Sequence, residues 1–454
     1  MALDIRVEDG LPIVADQARN ILQHETDTFG LFLDLDRIIE YELTYMRRRD
    51  EALEKYYTMM DMDIKPSQRQ KIKDWFMATF NVPERLMLNK ANKVAFDKEV
   101  QANLLSSNIS EDAKEFLRVY ADWSYNQYRI TYFKQYKNLP ISYELSDRGH
   151  RMAVANPEWS VLTTGRIAAE NPSIQNIAKD MCDLVCCPKG WKLIRCDSGQ
   201  IEPRITYSHF IEDHIVRGLI MAYDDAYYGM LHYCQLPDEV YNNLSDYAVD
   251  GTPEAETKDE AHIIHKHEIS EEMKAGRKEL KVLALAANYG SALAGRDPFL
   301  SRRYTDRIVN NRDRKRWEAE VTRQVKLGKE YFYSVFGTKI VPEESERYHR
   351  GMSSWQGHVI RCGINNPIQA TASDLMCCSV YAASRILEKA KKSHIAFYKH
   401  DEGAFYIHES ELGLVDELRD ITAYNVTENG REWIPIHAEL EEGQLENPVV
   451  PTVM

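Results

Sequence analysis

Little in this 454-residue chain marks it for a membrane or for export. It has no apolar run of about eighteen residues, the length a transmembrane helix needs. The start, Met1-Ala2-Leu3-Asp4, offers neither a charged nor an apolar leader. These absences point to the cytoplasm and to no membrane partner. Internal repeats and low-complexity tracts are missing too, which excludes solenoids and disordered arrays. Cysteine is sparse, at eight, and without a secretory signal this fits a reducing compartment. Cys182, Cys186, Cys187 and Cys196 crowd together but lack paired C-x-x-C spacing, so ordinary buried or surface thiols are expected, not zinc. Net positive charge is also absent: the chain carries −14.

Net charge is a poor guide where charge is segregated. Ser301–Glu330 holds ten Lys/Arg against five Asp/Glu, a local basic surface of the kind that contacts phosphates. Glu254–Glu272 is the reverse, with seven Asp/Glu against two Lys, and reads as a solvated insertion. With 44% hydrophobic and 28% charged residues the chain is an ordinary globular protein, long enough for two or three domains.

Residues 1–150 read as mostly helical, from the spacing Leu33-x-x-Asp36-x-x-Ile39-x-x-x-Leu43, from Ser67 to Phe80, and from Ala113 to Tyr136 after the polar run Ser110-Glu111-Asp112. Turn residues break 139–172. Gly190–Cys196 reads as a buried strand ending at Asp197, and a helix is predicted from Gln200. Residues 205–330 are predicted mainly helical. Residues 394–408 read as strand–turn–strand with Asp401-Glu402 at the turn, and Glu432–Leu440 as a further strand. The class is α+β, with helical lobes around a small antiparallel sheet.

Asp197 and Asp401 lie 204 residues apart (401 − 197), yet a strand end and a hairpin turn bring distant carboxylates to one sheet edge. Mg²⁺ takes oxygen ligands and keeps several waters, so two carboxylates plus substrate phosphates suffice. Two ions about 3.5–4 Å apart clamp the attacking and leaving oxygens of an in-line displacement. Between these acids runs Arg277-x-x-x-Lys281-x-x-x-Leu285-x-x-x-Tyr289-Gly290. Steps of four residues advance about 6 Å along a helix, which places these side chains on one broad face suited to a triphosphate and a base.

Asp197-Ser198-Gly199-Gln200-Ile201-Glu202-Pro203-Arg204 and Lys399-His400-Asp401-Glu402 resemble the first and third motifs of the family A (DNA polymerase I-like) DNA polymerases, whose first motif reads Asp-Tyr-Ser-Gln-Ile-Glu-Leu-Arg. The helix from Arg277 to Gly290 is similar to the family's middle motif, with Leu285 in place of an aromatic residue. Thr164-Gly165-Arg166 with Asn171-Pro172-Ser173-Ile174-Gln175-Asn176-Ile177, and Arg361-x-x-Ile364-Asn365-x-Pro367-x-Gln369-x-Thr371-Ala372, resemble two further segments in the family's order.

The resemblance implies a right-hand fold with an antiparallel-sheet palm, a helical thumb and helical fingers. It implies template-directed addition of deoxynucleotides to a primer 3′-OH with two Mg²⁺ ions, Mn²⁺ substituting. Asp197 and Asp401 would be metal ligands with help from the Ser198 carbonyl, Glu402 a supporting carboxylate and Lys281 a catalytic cation. Arg277, Lys281, Leu285, Tyr289, Gln200 and Glu202 would hold the nucleotide, with Glu202 excluding a ribose 2′-hydroxyl. Arg166, Arg361, Asn365, Gln369 and His400 would contact DNA; minor-groove acceptors are nearly the same for all base pairs, so polar groups there check pair geometry. The expected division is 1–40 as an extension in place of an exonuclease domain, 41–150 thumb, 151–204 and 346–454 palm, and 205–345 fingers with the acidic insertion near 235–272.

The chain departs from the family at Ser198, Gly199, Pro203 and Leu285. Proline is tolerated in a first helical turn, so Pro203 need not break the fold. The expected exonuclease domain of roughly 200 residues has no room ahead of the thumb. A separate exonuclease or processivity partner is therefore expected, and the compact design suggests a phage enzyme working in the infected host cytoplasm. The rival readings are a single-subunit RNA polymerase or primase-like enzyme, and a non-catalytic DNA-binding replisome subunit.

Overall fold

The structure, a computed structural model, describes residues 2–11, 13–60, 63–89, 94–177, 179–252, 255–256, 262–288, 297–344 and 353–442. Its first elements are β1 (Leu3–Arg6), α1 (Ala15–Thr28), β2 (Leu31–Asp34), α2 (Leu35–Met59), α3 (Arg69–Thr79), α4 (Lys98–Leu105) and α5 (Glu111–Lys137). Strands β3 (Ile141–Leu145), β4 (Arg151–Ala155), β5 (Glu158–Val161), β6 (Ile167–Glu170) and β7 (Trp191–Ser198) follow. Next come α6 (Ile201–Ile205), α7 (His214–Tyr223), α8 (Ala226–Gln235), α9 (Asp238–Asn242), β8 (Tyr247–Val249) and β9 (His262–Ile264). The helices α10 (Glu271–Asn288), α11 (Pro298–Tyr304) and α12 (Arg312–Lys326) lead to β10 (Phe332–Tyr333), β11 (Lys339–Ile340) and the long α13 (Ser353–Leu387). The chain closes with β12 (His394–Lys399), β13 (Glu402–His408), α14 (Val415–Asp420), β14 (Tyr424–Glu428), β15 (Arg431–Glu432) and β16 (Ala438–Glu442). Among the described residues no helix is long and apolar enough to cross a membrane.

The described residues form two compact units. One comprises Phe32–Ala155 with Ile177–Lys189. Here α2 and α5 pack along one another, with Tyr41, Tyr45 and Tyr56 buried from α2 and Phe116, Tyr120, Phe133 and Tyr136 from α5. Capping sets where each helix begins. The Asp34 carboxylate accepts the Arg37 N–H at 2.9 Å, so α2 starts at Leu35. This corrects the helical spacing read from Leu33: Leu33 belongs to β2, and Leu43 is exposed while Ile38, Tyr41 and Tyr45 form the buried stripe. Ser110 accepts the Ala113 N–H at 3.2 Å and starts α5 as its polar run suggests. The three-stranded sheet β2-β4-β3 adds strands that a mostly helical reading of 1–150 missed.

The other unit comprises Met1–Leu31, Asn156–Asn176 and Gly190–Gln444. Its centre is an antiparallel sheet in the order β12-β13-β7-β16. Strand β7 alternates from Ile194 onward, with Ile194, Cys196 and Ser198 buried and Arg195 and Asp197 partly exposed, and is not buried throughout as read from its apolar run. α13 packs on α1, α6 and β12. β1 pairs in parallel with β14, so the N-terminal residues belong to this unit's fabric; the expected boundary at residue 40 falls inside α2.

Two further expectations change. Glu432–Leu440 is not one strand but β15 and β16, separated by a stretch that contains Pro435, which has no N–H to give to a ladder. The acidic insertion is solvated as read over His265–Glu272, where every residue is exposed, but not throughout. Leu236, Val249 and Ile264 are buried in the helical core formed by α7, α8 and α10, because these apolar side chains anchor a segment whose average composition is acidic.

Candidate active site

The β7 register places carboxylates side by side. Asp197 lies opposite Glu402 of β13 on one flank and opposite Glu439 of β16 on the other. Directly opposed residues share a face of the sheet, and adjacent like charges repel. One of the three is neutralised within the sheet: Arg195, two residues before Asp197 and on the same face, grips Glu402 in a bidentate pair, with Nε to Oε1 at 2.7 Å. Glu402 therefore spends both oxygens on Arg195, a partner that sequence reasoning missed.

The β12–β13 turn carries Asp401 to the same edge. His400 adopts φ +57°, which makes the turn tight, and the Asp401 carbonyl accepts the Ser198 N–H at 2.8 Å. Gly199 donates its N–H to the His437 carbonyl at 2.8 Å. A Cβ on Gly199 would sit 3.1 Å from Glu439 Oε1 and 3.2 Å from that carbonyl, so glycine is what allows this approach. Ser198 turns its hydroxyl into the interior, donating to the Thr422 carbonyl at 2.8 Å, which leaves only its main chain for a ligand. Arg204 is buried and donates to the Gly199, Pro435 and Asp224 carbonyls at 3.1, 2.6 and 2.7 Å; it locks the strand–helix turn and is structural.

These elements enclose a cavity of about 340 Å³. Its wall gathers Asp197, Gln200, Glu202, Asp401 and His400 with Arg166 from the β5–β6 hairpin end and Arg277, Lys281 and Leu285 from α10. Ala372 and Ser373 of α13 also line it, and the Ser373 hydroxyl donates to the Gly165 carbonyl at 2.7 Å. Glu439 and Tyr227 line it as well, and no sequence motif singled them out. Tyr289 and Gly290 lie outside the described residues. Arg361, Asn365 and Gln369 share α13 but do not line the cavity; Asn365 is buried, and its side-chain oxygen has no hydrogen-bond partner among the described residues.

Arg166 pairs with Glu202 at 2.5 Å. Burial raises the Glu202 carboxyl above its ordinary value, with Arg166 pulling it down and Asp401 pushing it up. Burial likewise raises Asp401 against the pull of Arg166, Lys281 and Lys399. The His400 imidazole is pushed down, by burial first and then by Arg166 and Lys399, and so is neutral at pH 7. Arg277 donates to Asp225 from Nε at 2.9 Å and Nη2 at 2.6 Å, and lies over the Tyr227 and Tyr228 rings. Lys281 sits 5.7 Å from the centre of the Tyr227 ring.

The wall thus sets Asp197, Glu202, Asp401 and Glu439 against Arg166, Arg277 and Lys281. Carboxylates outnumber cations, so a polyanion enters only with added positive charge. The donors are hard oxygens, the kind that Mg²⁺ takes as ligands; among the described residues no three His, Cys, Asp or Glu side chains come together as a metal cage. The buried Asp401 charge fits a cation for the same reason that its carboxyl is raised.

No family model matches the chain. The mixed α/β fold is similar to that of a DNA polymerase domain. The solved structure that carries this likeness is the POL domain of Pol1 from M. smegmatis in complex with DNA primer-template and dNTP. The TM-score is 0.68 at 16% sequence identity, covering 94% of this chain and 68% of that chain.

Proposed function

We propose that the chain is a template-directed DNA polymerase that adds deoxynucleotides to a primer 3′-OH. The observation that carries this reading is the meeting of Asp197 and Asp401 with Arg277, Lys281 and Leu285 around one cavity, in a fold similar to a polymerase domain. The β12-β13-β7-β16 sheet is the palm, the α2–α5 unit belongs to the thumb, and α10 with its neighbours forms the fingers.

Asp197 and Asp401 would hold Mg²⁺, helped by the Ser198 carbonyl, with Glu439 beside them. Bound there, Mg²⁺ supplies Lewis acidity to the primer hydroxyl and charge neutralisation to the triphosphate. Lys281 and Arg277 orient the phosphates and stabilise charge on the departing pyrophosphate. Leu285 lies against the incoming base. Glu202, held by Arg166, fills the space that a ribose 2′-hydroxyl would need and so favours deoxynucleotides. Neutral His400 lies beside the primer terminus. Arg361, Asn365 and Gln369 lie along the duplex minor groove.

The test is extension of a primed DNA template with Mg²⁺ by the natural protein and by Asp401→Ala, with deoxy- and ribonucleotides in parallel. Extension by deoxynucleotides alone, lost in the variant, is expected. Extension by ribonucleotides would replace the reading with RNA synthesis, and DNA binding without extension would replace it with a scaffold role.

A further inference from the structure

Behind the cavity wall sits one carboxylate that no motif contains. Asp225 is the N-cap of α8, its Oδ1 accepting the Tyr227 and Tyr228 N–H groups, both at 2.9 Å. Its Oδ2 accepts from Gln200 Nε2 at 2.8 Å and from Arg277 at 2.9 and 2.6 Å. The Gln200 side-chain oxygen in turn accepts the Ala226 N–H, which closes the link between the turn after β7 and the start of α8. Gln200, Tyr227 and Arg277 all line the cavity, whereas Asp225 does not. The Arg277 side chain is 27% exposed and Asp225 16% exposed, so the pair is shielded and not a mobile surface contact.

We infer that Asp225 is a positioning residue for the nucleotide: from behind it holds two cavity-lining side chains, Gln200 and Arg277, and the main chain of a third residue, Tyr227, and above all it fixes the Arg277 guanidinium for a triphosphate. This deepens the polymerase reading and rests on it. A guanidinium presents its donors in a rigid fork. With Nε and Nη2 committed to Asp225, Arg277 is held at one edge and keeps Nη1 for another acceptor. The stacked Tyr227 and Tyr228 rings limit its swing. An arginine fixed in this way loses less freedom on binding phosphate than one free to rotate.

Asp225→Asn keeps an oxygen for the α8 cap but places an amide donor against Arg277. Asp225→Ser also caps well and offers no acceptor at that distance. In single-nucleotide primer extension, both variants are expected to raise the deoxynucleotide KM about tenfold with a much smaller change in kcat, the size that follows when a charge-assisted bidentate contact stops orienting a binding group. In an Arg277→Ala background the same substitutions are expected to do little, and Asp225→Glu to restore part of the loss. Affinity for a fluorescent deoxyadenosine triphosphate analogue, measured at equilibrium with Mg²⁺, is expected to follow the KM values. An equal loss in the Arg277→Ala background, or unchanged KM and affinity in folded Asp225→Asn and Asp225→Ser, would overturn the inference. Absence of any extension by the natural protein would instead strike the polymerase reading; nucleotide affinity is read separately from it.

Discussion

The pairing of Arg195 with Glu402 makes a sharp prediction, because sequence similarity assigns Glu402 a supporting role at the reaction centre whereas the sheet gives it a cation to hold. Both side chains are 15% exposed, and the contact is bidentate. Hydrogen bonds to charged groups contribute about 1.5–3 kcal/mol each, and stripping one partner from a buried pair costs about 3–5 kcal/mol. Residual water at this sheet edge lowers the second figure. We therefore expect Glu402→Gln and Arg195→Gln each to cost about 2–3 kcal/mol, and the double variant to cost less than the two added together by about 2 kcal/mol. Urea unfolding of the four proteins at pH 7.5 measures the coupling. Primer extension by the same proteins separates the roles: the double variant is expected to retain far more activity than Asp401→Ala. Additive stability losses would refute the structural pairing. A double variant as inactive as Asp401→Ala would show that Glu402 acts on the reacting groups themselves.

Three other outcomes are expected. Burial pushes the Asp374 carboxyl up to about 6 while the Ser334 and Thr338 hydroxyls, which donate at 2.5 and 2.7 Å, pull it down. A carboxyl raised in the folded state contributes stability that is full below about pH 4 and is lost as pH rises through about 6, a swing on the order of 3 kcal/mol. Asp374→Asn should therefore be more stable than the natural protein at about pH 8 and lose that advantage toward about pH 5; denaturant titration across this range checks it, and a pH-independent difference would contradict it. Leu285 lines the cavity but presents no ring to a base, so Leu285→Phe should lower the deoxynucleotide KM by about tenfold through stacking, and identical kinetics with deoxy- and dideoxynucleotides in both proteins would sink the idea. Gly199→Ala places a methyl 3.1 Å from Glu439 Oε1 and should raise the Mg²⁺ concentration for half-maximal extension while costing on the order of 1 kcal/mol of stability. An unchanged Mg²⁺ titration would remove Glu439 from the site.

Where the sequence reading held, short-range physics was enough. Ser110 caps α5 because its hydroxyl reaches an N–H three residues on, and Arg277, Lys281 and Leu285 share a face because four residues is close to one helical turn. Where it failed, a neighbour distant in sequence decided. The four-residue steps from Arg277 could not reveal Asp225, 52 residues earlier, which turns an apparently open cation into a held one. The apolar run before Asp197 could not reveal that Glu439 and Glu402 flank it, because partner strand and register are set by the packed sheet.

The sequence by itself determined the Ser110 cap of α5, the strand that carries Asp197, the turn that carries Asp401 and the cationic spacing on α10. Each of these is encoded within a few residues by backbone preference and periodicity. Only the tertiary structure decided which carboxylates face the cavity, which are tied to Arg195 or Arg166, and that residues 3–6 complete a sheet with Tyr424–Glu428. Those outcomes depend on charge burial and strand register, energies that exist only once distant segments exclude water from one another.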